Sequence, residues 1–140
     1  MKVVLDVNIL VSALLRDSTT RWILTHAPFE FFFPEPSLAS IRKHQAALLE
    51  KSGFTPKDFD WALAKILENV QLLPASFVKE RWQEAKGIME KIDEEDVVFI
   101  AAALSIPHAV IWSEDKHFEQ QKRVSVLKTR EILAKLAGGK

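Results

Sequence analysis

Three aspartates stand where an apolar run meets polar chain. Asp6 directly follows Val3-Val4-Leu5, Asp115 comes after Val110-Ile111-Trp112 and the pair Ser113-Glu114, and Asp96 precedes the apolar stretch VVFIAAAL. Carboxylates gathered in one small volume repel one another, so they either take up protons or are neutralised by a cation. Hard oxygen donors select Mg²⁺ or Mn²⁺, and the chain has no cysteine to bring a softer metal. Alone, such a pocket repels a phosphodiester. With an ion it can hold one, make a water more acidic and orient it for in-line attack. Asn8 and Ser113 stand beside two of these acids and can either cap backbone or hold a water on the ion. Asp93 lies three residues before Asp96, the spacing of a helix N-cap with Asp96 closing a box-like arrangement.

Each acid also has a plainer reading. Asp6 can be a helix N-cap, although an aspartate ending a buried apolar strand is costly unless its oxygens are satisfied. Asp96 can complement a helix dipole, and Asp115 sits in Ser-Glu-Asp-Lys turn chemistry. Glu94 and Glu95 read as solvated first-turn acids. The shared placement at strand ends is what gives the three aspartates weight. His26, His44, His108 and His117 show no ligand spacing and read as surface or structural. The four tryptophans sit at apolar-periodic positions and read as core. Two basic steps, Arg42-Lys43-His44 and Lys116, His117, Lys122 and Arg123, suit either a nucleic-acid backbone or a solvated face.

The elements that must position these residues follow from periodicity and punctuation. Strands are predicted over 2–5, 29–33, 70–73, 109–112 and 124–127 from β-branched and aromatic runs bounded by proline or polar residues. A helix over 7–15 follows the first strand at once, and Ser18 or Thr19 caps a second carrying Trp22, Ile23 and Leu24. Further helices are predicted over 37–50, ended by Gly53; from Thr55-Pro56 through Leu67; over 76–90; from Asp93 to about 105; and over 129–137, capped by Thr129. Gly138 and Gly139 form a frayed tail. Strands alternating with helices mean an α/β fold with a parallel sheet covered on both faces. In such a sheet ligands bind beyond the carboxyl ends of the strands, near the switch in strand order. If the first and fourth strands are neighbours, Asp6, Asp96 and Asp115 converge there.

The bulk numbers are permissive. A chain of 140 residues suits one domain, 1–140. Nineteen basic and nineteen acidic residues cancel, so no global field recruits nucleic acid or an anionic membrane. The longest apolar run, 97–104, is far short of the roughly 20 residues a membrane span needs. Asp6 and Asn8 interrupt the N-terminal apolar run, and no small-residue cleavage site follows it. The expectation is a soluble, cytoplasmic protein that does not enter a membrane.

The motifs resemble those of the PIN-domain family, whose members include the ribonuclease toxins of type II toxin–antitoxin pairs. VVLDVNILVSALL is similar to its first-strand motif, IDEEDVVFIAAAL to its central acid followed by an alanine-rich helix, and VIWSEDKHF to its last motif. PEPSLASIRKHQAALLEKSG resembles the helix after the second strand in a subgroup of the family. The resemblance spans essentially the whole chain. It implies a three-layer α/β/α sandwich with a central parallel sheet, and an Mg²⁺- or Mn²⁺-dependent endoribonuclease that cleaves RNA. It assigns catalytic and metal-holding roles to Asp6, Asp96 and Asp115, with Asn8 and Ser113 assisting and Asp93 as an extra acid. A protein antitoxin and a homodimer are the partnerships it brings with it.

One departure matters: the family's middle helix usually carries a glutamate where this chain has Ser40, and Glu35 falls before that helix. The alternative reading is therefore a catalytically weakened module that binds RNA or a protein partner. A phospho-acceptor receiver reading also uses Asp6, Ser113 and Lys128, but its acceptor aspartate should follow the third strand, where Gln71-Leu72-Leu73 runs into Pro74. A sugar-phosphatase reading needs aspartate at Asn8, and a dinucleotide reading needs a glycine-rich turn after the first strand.

Overall fold

The computed structural model describes residues 1–15 and 19–138. Five strands, β1 (Lys2–Leu5), β2 (Glu30–Pro34), β3 (Val70–Leu73), β4 (Val110–Trp112) and β5 (Val126–Leu127), form one sheet in the order β3-β2-β1-β4-β5. Every pairing is parallel. Val3 lies opposite Phe31 on one side and Val110 on the other, so β1 is the central strand. Val3, Val4 and Leu5 are fully buried, the continuous burial expected of a strand covered on both faces.

Helices α1 (Val7–Ala13) and α2 (Thr19–His26) link β1 to β2, and α3 (Leu38–Lys43), α4 (Gln45–Ser52) and α5 (Pro56–Leu67) link β2 to β3. The return to β4 is made by α6 (Ala75–Lys79), α7 (Trp82–Met89) and α8 (Val97–Leu104), and α9 (Thr129–Gly138) follows β5. The chain steps outward from β1 to β3 and then returns to the far side of β1. Right-handed crossovers therefore put the first helices on one face and α6–α8 on the other. The contacts agree: α8 lies on β1, β2 and β4 beneath α6 and α7, while α1 packs with α2 and α3, and α2 with α5. This is the expected three-layer α/β/α sandwich. Ala101, Ala102 and Ala103 are buried and small enough to let α8 approach the sheet closely. Among the described residues no helix is long and apolar enough to cross a membrane.

Several elements differ from the sequence expectation. The helix predicted over 37–50 is preceded by a 3₁₀ turn, Glu35–Ser37, and breaks at His44 (φ −99°, ψ 8°). The break lets Ile41 and Leu48 both enter the core from differently directed helices. The helix predicted over 76–90 breaks before Trp82, where Arg81 leaves helical geometry. Its Nη1 donates to the Leu104 carbonyl at 2.9 Å, covering an exposed end of α8. Thr129 does not cap α9. It is the first helical residue; its hydroxyl accepts from Trp112 Nε1 at 2.9 Å and its N–H donates to Glu114 at 2.6 Å. The strand predicted over 124–127 is reduced to its last two residues because Gln121 binds the Val124 backbone.

The tryptophans divide. Trp112 is fully buried and Trp82 half-buried, but Trp22 and Trp61 are 51% and 66% exposed. Trp22 stacks on His26 and Trp61 lies beneath Lys65, so both find partners on the surface. Gly138 belongs to α9, whereas Ser18 and Gly139 lie outside the described residues.

Gly53 ends α4 as expected, in the left-handed region at φ 75°. A Cβ there would meet no atom within 4 Å, so only backbone strain opposes one. Gly53→Ala is expected to cost about 1 kcal/mol, read as a lower urea midpoint. An unchanged midpoint would mean that the turn relaxes out of this conformation.

Candidate acidic active site

β1 and β4 are neighbours whose onward connections leave in opposite directions. This is the switch point at which a parallel sheet opens a crevice beyond its carboxyl ends. Asp6 leaves β1, Ser113 and Asp115 leave β4, and the crossover helix α8 begins over the same end. The topology thus gathers acids that the sequence separates by more than a hundred positions.

Asp6 is 3% exposed and Ser113 is 1% exposed, and both are fully engaged. Asp6 Oδ1 accepts from the Ile9 N–H at 3.0 Å and so caps α1, while Oδ2 accepts from the Ser113 hydroxyl. Ser113 Oγ in turn accepts from the Asp115 N–H at 2.9 Å. Asp6 therefore fills its plain role as an N-cap and also ties the end of β1 to the turn after β4. Burial pushes its carboxyl above the ordinary range against the opposing pull of the Ser113 and Ile9 hydrogen bonds, and Asp115 adds repulsion.

Asp93 precedes a 3₁₀ turn, Glu94–Asp96, and caps it by accepting from the Glu95 N–H at 2.9 Å. Residues three apart eclipse in a 3₁₀ turn. Asp93 and Asp96 therefore project to the same side, where their carboxylates come together. The box-like arrangement expected of the pair does not form: Asp96 Oδ2 is a buried oxygen with no hydrogen-bond partner. Burial pushes the Asp96 carboxyl up to about 7, helped by the carboxylates of Asp93, Asp115 and Asp6 and opposed by His117.

Asp115 caps the 3₁₀ turn Lys116–Gln120 by accepting from the His117 N–H at 2.9 Å. That turn carries His117 back over the acids. Its Nδ1 lies 2.9 Å from Asp93 Oδ2, 3.4 Å from Asp115 Oδ1 and 3.7 Å from Asp96 Oδ2. His117, read as surface or structural, is partly exposed and lies against three carboxylates. Together Asp93, Asp96 and His117 offer ligand atoms within 4.8 Å of one another. Histidine spacing could not reveal this because the partners come from other elements. The available signal was local: an aspartate capping a turn draws the residue two positions on back toward itself.

These groups open onto a cavity of about 580 Å³ lined by Asp93, Asp96 and Asp115. Exposed Asn8 and half-buried Ser40 also line it, so the residue in place of the family's glutamate faces the same space. Lys43, His44 and Lys51 form a basic wall of this cavity. Arg42 is turned to Asp60 at 2.6 Å, and Arg123 pairs with Glu84, so the basic steps are only partly directed at the site. Glu35 is exposed in the turn before α3 and does not line the cavity. β3 lies at the sheet edge, two strands from Asp6, so an acceptor after it could not face the β1 acid as a receiver requires.

The donor set suits a hard divalent cation. The lining is carboxylate-rich, and the buried Asp96 oxygen has no hydrogen-bond partner. A family model described as PIN domain matches residues 4–137. Comparisons with curated proteins and with solved structures found no match.

Proposed function

Because the chain belongs to the PIN-domain family, a family generally of nucleases, we propose that it is an endoribonuclease dependent on Mg²⁺ or Mn²⁺. The observation that carries the reading is the convergence of Asp6, Asp93, Asp96 and Asp115 at the sheet switch point, with a buried Asp96 oxygen that makes no hydrogen bond. Asp96, Asp115 and Asp93 would hold the ion, with Asp6 adding negative charge from beneath. When bound, the ion supplies positive charge to the phosphate oxygens and makes water more acidic. Ser113 fixes the Asp6 carboxylate and the Asp115 backbone at one hydroxyl, which keeps the acids in register. Asn8 stands exposed at the mouth, where its amide can orient water or substrate. Lys43 and Lys51 face the acids across the cavity and attract the RNA backbone.

The experiment is cleavage of a labelled single-stranded RNA with and without Mn²⁺, beside calorimetric titration of Mn²⁺ into the chelator-treated protein. Absence of both binding and cleavage sinks the reading. A small DNA-binding protein encoded immediately upstream would place the chain among toxins of toxin–antitoxin pairs.

Ser40 in the cavity wall favours one second reading, a weakened module that binds RNA or a protein without cutting efficiently. Ser40→Glu tests it. The added carboxylate is expected to tighten Mn²⁺ binding and raise the cleavage rate severalfold. Strong metal-dependent cleavage by the unaltered chain removes the second reading.

A further inference from the structure

The acidic pocket has a neighbour of comparable size. A second space of about 640 Å³, predominantly apolar, lies at the carboxyl ends of β2 and β3 between the start of α3, the helices α6 and α7, and the first turn of α8. Ser37 and Ser40 line both cavities and form the partition between them. One edge of the sheet thus carries an acidic pocket beside an apolar one.

The lining of the second cavity is specific in chemistry. Half-buried Trp82 offers an aromatic surface, Val78 an apolar floor, exposed Gln83 an amide, and exposed Lys79 an ammonium group. These are the groups that hold an unstacked base: a ring to stack on, a donor and acceptor for its edge, and a cation for the adjoining phosphate. The volume falls in the usual small-ligand range of roughly 300–1,000 Å³. The wall is also held in place. Arg81 sits between Lys79 and Trp82, and it bonds the Leu104 carbonyl at 2.9 Å and Glu84 at 2.8 Å.

We infer that this cavity is a nucleobase subsite, which takes a base of the RNA strand next to the phosphodiester held in the acidic pocket. The inference rests on the phosphodiester reading of that pocket. An apolar peptide would use Val78 and Trp82 but would leave Lys79 and Gln83 without a role. A nucleotide uses all four groups, and its phosphate continues toward Lys43 and Lys51 on the far side of the serine partition.

The test uses the full chain labelled with 5-fluorotryptophan and kept in chelator, titrated with adenosine and with uridine and followed by ¹⁹F NMR. The Trp82 resonance, assigned by its loss in Trp82→Phe, is expected to shift while those of Trp22, Trp61 and Trp112 stay. Fluorescence competition with a short RNA should show about tenfold weaker binding for Trp82→Ala, with Trp82→Phe close to the parent. Gln83→Ala, on an exposed helix position, should also weaken nucleoside binding and serves if Trp82→Ala does not fold. An unmoved Trp82 resonance, equal shifts at all four tryptophans, or a shift produced by a leucine- and valine-rich peptide but not by nucleosides would overturn the inference. The nucleoside titration needs no metal. It can therefore fail while Mn²⁺-dependent cleavage persists, or succeed in a chain that cuts nothing, which separates this inference from the reading on which it rests.

Discussion

Asp96→Asn is expected to lower metal-dependent RNA cleavage on the order of 10²–10³-fold and, in the same variant, to abolish thermal stabilisation by Mn²⁺. Asparagine keeps the shape of the side chain and removes its charge. The buried Asp96 oxygen makes no hydrogen bond that asparagine would lose, so the substitution spares the local structure. Losing about 3–4 kcal/mol of charge stabilisation corresponds to that fold-change. A ligand that binds only the native state raises its stability by about 2.7 kcal/mol at a hundred times its dissociation constant. The unaltered chain should therefore melt higher in millimolar Mn²⁺, and the variant should not. Glu68→Gln, on an exposed surface of the molecule, is the control for nonspecific carboxylate effects. Cleavage that survives Asp96→Asn unchanged would remove Asp96 from the chemistry.

The parts of the site that were legible in sequence are those written locally. Asp6 directly after a β-branched run and Asp115 after Val110-Ile111-Trp112 mark strand ends, and a parallel sheet places strand ends together. The pairing of β1 with β4 stood as a condition of that convergence, and the register of Val4 with Ile111 and Leu5 with Trp112 meets it. What sequence could not deliver depends on geometry below one helical turn. Asp93 and Asp96 were read as the two members of a helix-start box, but the turn is 3₁₀ and the Asp93 carboxylate accepts from the Glu95 N–H instead. His117 was invisible for the converse reason: Asp115 caps its own turn, but Asp93 and Asp96 come from another turn, and no spacing in the chain encodes that meeting. The breaks at His44 and Arg81 fall within continuous helix-forming sequence. They follow from tertiary demands, Ile41 and Leu48 seeking the core in one case and the Leu104 carbonyl seeking a donor in the other. The exposed Trp22 and Trp61 fail the apolar-period rule because that rule identifies a helix face, not which residues of the face the sheet is wide enough to cover.

The same carboxylate that holds a cation should make the metal-free protein less stable as pH rises. Asp96 is raised from 3.8 to about 7 by burial and by three neighbouring carboxylates. The native state thus holds this proton where the unfolded chain has lost it. A raised carboxyl contributes stability that is fully present below about pH 4 and lost as pH climbs through about 7. At full weight such a shift corresponds to roughly 4 kcal/mol, and partial solvent access of the group brings the expected value to about 2–4 kcal/mol. Asp6, raised mainly by burial, adds to the same slope. Asp96→Asn carries no proton to lose. In chelator it should match the parent near pH 4 and exceed it by about 2–4 kcal/mol at pH 7–8, measured as urea midpoints across the range. Saturating Mn²⁺ should reverse the order at pH 7, because the ion stabilises only the chain that keeps the carboxylate. Parallel curves for the two proteins from pH 4 to 8 would mean that Asp96 is not under electrostatic stress in the native state. The expected crossing is what a binding site at the cost of fold stability looks like: repulsion accumulated among Asp6, Asp93, Asp96 and Asp115 in the metal-free chain is the free energy that a divalent cation relieves on binding.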